Sequence, residues 1–446
     1  MSAGYRKVQS SINYPPTIVK LFSQNLAWKL RISWRLPARA VLESTDPNML
    51  LSCHLALCLA VLTLTCRACK TDEDCSLNGL CLQESRFDYG EKLCKCDPGW
   101  FGDDCGRLDL QPARKQNDYN HSADARDSSY LGPYGNSSWG GTVLQDPHDS
   151  TLFHLVASQF AAGCGLSGWR PFSFIIRAES RAGPQGPYHS ADSISAPFRH
   201  NPEVVWSPAD KKYLLYSIGV DDDEPARNTC SSISYEQWPN NISVATAEDI
   251  RGPWSDFELV LSSIEPHSTN PSPWPLWTPG HRSSKIALGV EDVAMFLGNS
   301  YSGPYELVHT QTWNTTEYSP TWTEDSFLWR DKRGNWHALA HWMADLVENG
   351  GQRWPRVGAH MFARELTGPW RWHMHEAFNS TVTYTDGTAQ TMKRRERAKI
   401  FFSSDGQMTP LYLVNGVQEM GESSRSSTLI QPIGEAWKMF ERQLGF

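Results

Sequence analysis

The tripeptide Gly-Pro-aromatic occurs four times in this chain, and its spacing constrains the fold more than any other feature. The copies begin at Gly186, Gly252, Gly303 and Gly368, so consecutive copies lie 66, 51 and 65 residues apart. A short apolar run precedes each copy by a few residues. Repetition of this kind indicates an architecture built from similar units stacked or arranged in a ring.

A second pattern lies between these copies. Residues 205–214 and 328–337 both consist of an apolar run, a charged turn and another apolar run. Together the patterns describe a unit of four antiparallel strands, and a mean spacing of about 61 residues divides residues 131–436 into five units. Because propellers of about four to eight such blades are normal, we predict an all-β fold with a five-bladed β-propeller. The alternative is a two-sheet sandwich, and residues 437–446 are expected to form a C-terminal tail.

Cysteines are concentrated near the N-terminus, where nine of the eleven lie within residues 53–105. A segment this short cannot build a sufficient core, so disulfides must restrict its unfolded state. Six cysteines allow fifteen connectivities, and spacing alone does not select one. The six cysteines at positions 69, 75, 81, 94, 96 and 105 lack the paired Cys-x-x-Cys spacing of zinc sites. Two later cysteines, Cys164 and Cys230, are expected to pair in an oxidising compartment.

Residues 49–66 are uncharged and nearly all apolar, and they follow a basic segment, residues 1–48, with a net charge of +5. Their length lies between that of a signal-peptide core and that of a membrane span. Residues 49–68 are therefore either a cleaved signal peptide or a transmembrane anchor helix with the basic tail in the cytoplasm. Met49 is an alternative start, which would make residues 1–48 an artefact of gene prediction. We expect a secreted or single-pass membrane protein with an extracellular or lumenal ectodomain.

The net charge of the whole chain is −8. An acidic protein is a poor partner for nucleic acid, because phosphate contacts need clustered cations.

Residues 107–130 are polar without apolar periodicity and are predicted to be a linker. No cofactor or metal is expected, and His337 and His341, four apart in a predicted strand, are interpreted as packing residues. Five glycosylation sequons fit a secreted chain: Asn120, Asn136, Asn241, Asn314 and Asn379.

Residues 94–105, Cys-Lys-Cys-Asp-Pro-Gly-Trp-Phe-Gly-Asp-Asp-Cys, resemble the C-terminal half of an EGF-like domain. In that family one residue separates the fourth and fifth cysteines, and a Gly-aromatic-x-Gly turn precedes the sixth. The resemblance covers residues 69–106 and implies the pairs Cys69–Cys81, Cys75–Cys94 and Cys96–Cys105. One functional hypothesis is therefore a cell-surface adhesion protein whose EGF-like module contacts a protein partner.

Four predicted blade openings, residues 138–141, 199–203, 269–273 and 323–329, are expected to line one funnel. With the Gly-Pro-aromatic copies, they make residues 131–436 resemble the propeller of glycoside hydrolase family 43 and its relatives. Members of that family hydrolyse plant-type polysaccharides, especially arabinans and xylans. They invert stereochemistry with a carboxylate base, a carboxylic acid and a third carboxylate that tunes the acid. The resemblance implies a carbohydrate partner and an inverting O-glycosidase.

Only part of that triad maps onto this chain. Glu324 matches the general acid, with Asp325 beside it as the alternative carboxylate. Gly140 stands at the position of the base, and the tuning position falls on Asn270 or Asn201, both neutral. The family's mechanism cannot run on these residues, so either a neighbouring carboxylate substitutes or the domain only binds sugar. The neighbouring carboxylates are Asp146, Asp149, Glu203 and Asp325.

Side chains at the openings are expected to contact substrate. Trp139, Trp274 and Trp277 are expected to stack on sugar rings, and His200, Asn201, Asn270 and His360 to make polar contacts in the funnel. For Glu324 the alternative is a rim carboxylate that stabilises a turn. The leading hypothesis is a glycosidase-type propeller with Glu324 as proton donor. The second hypothesis is a catalytically inactive carbohydrate-binding propeller.

Overall fold

The computed structural model of the chain describes residues 68–83, 92–115, 134–135, 137–221, 230, 239–262, 269–278, 283–291, 294–310, 323–349, 352–372 and 375–446. One compact unit runs from Cys66 to Phe446, and the other, Met1–Thr65, lies outside the described residues. The predicted basic tail, and the predicted hydrophobic helix up to residue 67, therefore lie outside them too. Among the described residues, no helix is both long and apolar enough to cross a membrane.

The first described part is a small disulfide-bonded module, here called the cysteine module (residues 68–83 and 92–108). After a 3-10 turn, Asp72–Cys75, it contains two antiparallel strand pairs. The strands are β1 (Gly79–Gln83) with β2 (Lys92–Cys96), and β3 (Trp100–Phe101) with β4 (Arg107–Leu108). Three disulfides join Cys69 to Cys81, Cys75 to Cys94 and Cys96 to Cys105. These are the three pairs that the EGF-like resemblance implied.

Five four-stranded antiparallel sheets follow, and they form the five blades of a propeller. The predicted all-β, five-bladed fold is confirmed. In chain order, the strands are β5 (Ser138–Gln145), β6 (Phe153–Phe160), β7 (Ser173–Ser180), β8 (His189–Ser193), β9 (Arg199–Ser207), β10 (Lys212–Gly219), β11 (Ile242–Ala247), β12 (Glu258–Leu261), β13 (Ser272–Pro275), β14 (Ile286–Gly289), β15 (Met295–Gly298), β16 (Tyr305–His309), β17 (Thr323–Arg330), β18 (Trp336–Asn349), β19 (Gln352–Ala363), β20 (Arg371–Trp372), β21 (Thr381–Thr383), β22 (Ala389–Phe402), β23 (Pro410–Glu419) and β24 (Ser427–Pro432). Each blade consists of four strands that are consecutive in the chain, so blade 1 contains β5 to β8 and blade 5 contains β21 to β24.

The Gly-Pro-aromatic copies occupy the same place in blades 1 to 4, between the third and fourth strands. Each copy begins with a glycine at a φ between +82° and +91°, a conformation that residues with a Cβ rarely adopt. At Gly252 and Gly368, a Cβ would lie 2.9 Å from the backbone nitrogen of Trp254 and of Trp370, respectively. The turn therefore requires glycine, which explains the repeat.

The strands nearest the propeller axis are β5, β9, β13, β17 and β22. Each strand, or the loop that opens it, presents a residue with a φ between +54° and +66° to the same central space. In blades 1, 2, 4 and 5 the strand pairing shifts register at this residue, as in a β-bulge that re-aims a side chain. We call the five the hub residues. They are Gly140, Asn201, Asn270, Asp325 and Arg397, with φ of +59°, +54°, +57°, +66° and +58°.

Two α-helices occur among the described residues, α1 (Trp169–Phe172), preceded by 3-10 turns at Ala161–Gly163 and Leu166–Gly168, and α2 (Ala436–Leu444). Residues 437–446, predicted as a C-terminal tail, lie largely within α2. Apolar residues on one side of α2 pack against blades 1 and 5, where Phe440 contacts Phe153 and Phe401. The helix thus closes part of the apolar core.

The first part of the predicted linker, residues 107–115, pairs with blade 5. The backbone nitrogens of Gln111 and Ala113 donate to the carbonyl oxygens of Pro432 and Thr383. Because strand-like pairing with blade 5 satisfies the backbone here, the polar composition of this segment did not reveal its order. Residues 116–130 lie outside the described part of the chain.

The cysteine module packs against blade 4 through an aromatic contact. Trp100 stacks on Trp329 and lies against His360, with ring centroids 6.4 and 4.8 Å apart. Ion pairs surround this contact, and each involves a carboxylate of the module and a cation of the propeller. They join Asp97 to Arg333, Glu73 to Arg364 and Arg371, and Asp104 to His375.

Candidate functional site

Two cavities lie at the ends of the propeller axis, with the hub residues between them. The proximal cavity has a volume of 410 Å³ and is lined by residues near the starts of the inner strands. The distal groove has a volume of 1190 Å³ and is lined by residues near their ends. The space among the hub residues measures only 10 Å³. The axis is therefore closed, and the two cavities are separate sites.

A chain of polar contacts closes the axis. Asn201 Nδ2 donates to Asn270 Oδ1 at 2.8 Å, and Asn270 Nδ2 donates to Asp325 Oδ1 at 3.1 Å. Arg397 Nη1 pairs with the same Asp325 oxygen at 2.8 Å. Since a carboxylate only accepts hydrogen bonds, it fixes the orientation of both amides. Four blades are joined in this way across the axis.

Asp325 is the buried carboxyl at the centre of this network. Burial raises the pKa of Asp325 to about 7, opposed by the Arg397 guanidinium and assisted by Glu324 and Glu396. Its second oxygen, Oδ2, has no hydrogen-bond partner among the described residues. A carboxyl with this pKa is able to exchange a proton near neutral pH. It lines the closed space among the hub residues, however, and not the proximal cavity.

Gly140 is the hub residue of blade 1, and a side chain from blade 5 packs directly against it. A Cβ on Gly140 would lie 2.9 Å from Cβ of Arg397, so the close approach of Arg397, and not the positive φ that all hub residues share, excludes a side chain here. The position that the family resemblance gives to the catalytic base therefore has no carboxylate and no room for one while Arg397 keeps its conformation.

Charged side chains of both signs line the proximal cavity. Glu324 is half-buried there, and one oxygen of Glu324, one of Asp325 and one nitrogen of His341 lie within 4.8 Å of one another. These three residues have the donor atoms of a metal site, but the Arg397 cation already pairs with Asp325. The charged lining residues are Glu291, Glu324, Glu396, Lys393, Arg394 and Arg397.

His200 lines the proximal cavity. Burial, together with Arg397 and Arg170, lowers the pKa of His200 well below its usual range, so the imidazole is neutral at neutral pH. The ring stacks on Trp169 with centroids 4.7 Å apart, and Nδ1 has no hydrogen-bond partner among the described residues. Because its pKa is lowered, the neutral imidazole of His200 is a weak base, and the residue is only 2% exposed at the cavity wall.

Trp139 and His360 lie in places that do not suit their predicted roles. Trp139 borders the proximal cavity but is 2% exposed and packs with Phe160 and Phe172, so its ring is not open to a sugar. His360 lies in the interface with the cysteine module, stacked on His337 and beside Trp100. It lines neither cavity. His337, which belongs to the same stack, has the packing role that its sequence position indicated.

The carboxylates considered as substitutes for the missing base lie elsewhere. Asp146 lines the distal groove. Burial raises the pKa of Asp146, but hydrogen bonds from His154 and Arg251 have the larger effect and hold this pKa well below its usual range. Asp149 pairs with Arg181 at 2.7 Å, and Glu203 forms a buried ion pair with Lys399. None of the three is among the described residues that line the proximal cavity.

Sequence reasoning missed Arg397, Glu396 and Trp169. Blade 5 has no Gly-Pro-aromatic copy, so its inner strand was not located. The signal that marks it is the charged run at residues 393–397, which precedes the apolar end of the strand at residues 400–402. Trp169 lies on the short helix α1 between two strands of blade 1, which no periodic pattern indicates.

Outside the site, a disulfide joins Cys164 and Cys230, the expected pair. Asn379 is exposed and its Oδ1 accepts a hydrogen bond from the Thr381 nitrogen, while Asn241 is half-buried. The other sequons, at Asn120, Asn136 and Asn314, lie outside the described residues. Glycosylation stays a prediction at all five positions.

No protein-family model and no curated protein matches the chain. Among solved structures, a variant of the GH43 protein BlXynB from Bacillus licheniformis matches with a TM-score of 0.43 and 12% identity, over 67% of this chain and 53% of that one. An exo-beta-1,3-galactanase from Phanerochaete chrysosporium matches with 0.41 and 12%, over 69% and 63%. An endo-1,4-beta-xylanase from Bacteroides thetaiotaomicron matches with 0.43 and 11%, over 67% and 92%. The chain thus spans less than two thirds of the first two proteins, and a likeness this distant says nothing about substrate or activity.

Proposed function

We propose that this protein binds a glycan in the proximal cavity and acts outside the cytosol. The observation that carries the proposal is the cavity itself, 410 Å³ on the propeller axis, where carboxylates, cations, His200 and Asn240 converge. Its volume falls within the range of roughly 300–1,000 Å³ that is typical of small-ligand sites. Sugar hydroxyls both donate and accept hydrogen bonds, and a lining with both acceptors and donors suits them.

Binding without hydrolysis is the form of this function that the geometry supports best. An inverting glycosidase needs an acid and a base about 6.5–9.5 Å apart, with a water molecule beside the base. Glu324 has the position of the acid, but Gly140 and the Arg397 side chain occupy the position of the base. An acid without a base cannot complete the inverting reaction.

Hydrolysis is the second candidate, favoured by the presence of Glu291 and Glu396 in the same cavity as Glu324. In this alternative Glu324 protonates the glycosidic oxygen as its bond to the anomeric carbon breaks. One of the other two carboxylates takes a proton from the water that forms the new bond. The products are two sugars with free hydroxyls, and no co-reactant besides water is needed.

One experiment on the full chain separates the two. Calorimetric titration and reducing-sugar release are measured on arabinan, xylan, galactan and fructan oligosaccharides, for the wild type, Glu324→Ala, Glu324→Gln and the control Glu365→Gln. Glu365 is exposed on an outer turn of the same blade. We expect binding by the wild type and the control, a loss of about tenfold in Glu324→Ala because charged hydrogen bonds contribute about 1.5–3 kcal/mol, and no sugar release.

Each outcome of this experiment has a distinct meaning. Sugar release that falls by about 10²-fold or more in Glu324→Gln establishes Glu324 as a general acid and replaces binding with hydrolysis. If no oligosaccharide binds the wild type, or binding is the same in Glu324→Ala, the cavity is not a glycan site and the proposal fails.

The compartment belongs to this proposal. Four disulfides suit an oxidising environment, so we propose a secreted protein or a single-pass protein anchored through residues 49–66. An adhesive role for the EGF-like module would use exposed apolar side chains of that module. Leu80, Leu82 and Phe101 are 38%, 43% and 46% exposed.

A further inference from the structure

We propose that the distal groove is a second carbohydrate site, which binds a neutral oligosaccharide on the face of the propeller opposite the proximal cavity. This inference goes beyond the proposed function and does not depend on it, because the closed hub separates the two sites. The groove measures 1190 Å³, which exceeds the roughly 300–1,000 Å³ of a site for one small ligand. Its size therefore suits a chain of several sugar units.

Tryptophans supply the surface that a sugar chain would stack on. Trp206, at the end of β9, and Trp277, just after β13, are 43% and 45% exposed, and half-buried Trp274 lies with them in the groove. Trp206 is held edge-on against Tyr213, with ring centroids 4.9 Å apart. Clustered exposed aromatics of this kind mark binding surfaces more often than inert ones. In the proximal cavity, by contrast, the ring of Trp139 is buried and is not open to a ligand.

The charges of the groove favour a neutral occupant. Its described lining contains three carboxylates, and each is already neutralised by an ion pair. Asp146 pairs with Arg251, Glu203 with Lys399, and Asp331 with Arg333. The lining itself contains three cations, Arg330, Lys332 and Arg333, so the formal charges of its carboxylates and cations sum to zero. An acidic polysaccharide or a nucleic acid would find no excess of positive charge here.

Prolines and contacts with the cysteine module restrict the backbone along the walls of the groove. Pro208, Pro273 and Pro275 lie beside the tryptophans, and proline fixes its own backbone φ. The turn after β17 is held from outside the propeller, where Arg333 pairs with Asp97 and donates to the Leu77 carbonyl of the cysteine module. Preorganised aromatic surfaces lose little conformational freedom on binding.

The test is calorimetric titration of the full chain with xylohexaose, cellohexaose and β-1,3-galactohexaose. Trp206→Ala and Trp277→Ala are compared with Leu259→Ala, a control on β12 in which the side chain is 61% exposed and outside the groove. We expect at least one hexasaccharide to bind, with affinity falling about tenfold in each tryptophan variant because one stacked ring is lost. The control should match the wild type.

The same titrations separate this proposal from the one for the proximal cavity. Loss in the tryptophan variants with normal binding in Glu324→Ala places the hexasaccharide in the groove, whatever happens at the cavity. Loss only in Glu324→Ala, or no hexasaccharide binding at all, overturns the groove proposal. Binding of a decaproline peptide or an oligogalacturonate that competes through Trp206, with no neutral sugar bound, also overturns it.

Discussion

At the scale of single residues, the five hub residues share one backbone conformation but differ in the chemistry of their side chains. All five hub residues have φ between +54° and +66°, yet they are a glycine, two amides, a carboxyl and a guanidinium. Arg397 packs against Gly140 and pairs with Asp325. The absence of a carboxylate from the hub position of blade 1 and the ion pair of blade 4 are therefore parts of one arrangement.

Replacing Gly140 measures how firmly Arg397 occupies that position. We expect Gly140→Ala to lower the free energy of unfolding by about 2–5 kcal/mol, since both a positive φ and overpacking against Arg397 contribute. Gly387→Ala is the matched control, because Gly387 has φ +83° and no atom within 4 Å of the place that a Cβ would take. It should lose only about 1–2 kcal/mol. Urea unfolding measures both, and equal losses would contradict a close contact between blades 1 and 5.

Part of this residue-level picture was predictable. The openings that contain Gly140, Asn201 and Asn270 were located from the repeats, and all three are hub residues. Glu324 was chosen over Asp325 because it fits a motif, but the bulge in β17 turns the two neighbours to different sides. Asp325 lines the hub, and Glu324 lines the proximal cavity. A β-bulge cannot be predicted from the spacing of motifs, because the extra residue does not change the composition of the strand in a recognisable way.

At the scale of elements, the blades could be located in the sequence because the turns between their third and fourth strands require glycine. The four Gly-Pro-aromatic copies mark equivalent turns, and the charged turn within residues 328–337 marks the start of blade 4. Blade 5 has neither mark, so only the apolar end of its long strand β22 (residues 400–402) was predictable, and the hub residue that the strand carries was missed. The segment at residues 107–115 was missed for the opposite reason, because its order depends on backbone hydrogen bonds that any sequence can make.

Helix α2 provides a test at this scale. We expect Phe440→Ala to destabilise the protein by about 1–3 kcal/mol, since the half-buried ring contacts Phe153 and Phe401. Its neighbour Met439 is 61% exposed, and Met439→Ala should change stability by less than about 0.5 kcal/mol. Thermal unfolding of the two variants measures the difference. Similar melting temperatures would mean that α2 is not part of the cooperative core.

At the scale of the whole molecule, the cysteine module is joined to the propeller by packing as well as by the chain. Trp100 belongs to an apolar cluster shared with blade 4, and three carboxylates of the module contact propeller cations. The sequence predicted both parts but not their contact, because the complementary charges, such as Glu73 and Arg364, are almost three hundred residues apart.

This interface should depend on pH through His375. The hydrogen bond to Asp104 raises the pKa of His375, against burial and the nearby Arg107. A histidine with a raised pKa stabilises the fold below its ordinary pKa of about 6.5, and this contribution is lost as the pH rises through the raised value. We expect His375→Gln to remove that part of the pH dependence of the melting temperature.

The control for this prediction is His189→Gln, on the exposed strand β8. Four other histidines have lowered pKa values, so their contributions to the pH dependence of stability are opposite in sign to that of His375; they are His154, His200, His309 and His337. The quantity to compare is therefore the difference between the melting temperatures of wild type and variant at each pH. A difference that is flat between about pH 5 and 9 would show that the His375–Asp104 pair does not contribute.

The closed hub also bears on how such a protein can change over evolutionary time. Each hub position is one residue on a backbone that the neighbouring strands already hold, so a substitution there alters what faces the axis while the blades keep their pairing. In this chain Arg397 packs against Gly140, so a carboxylate at the hub position of blade 1 would require both residues to change together.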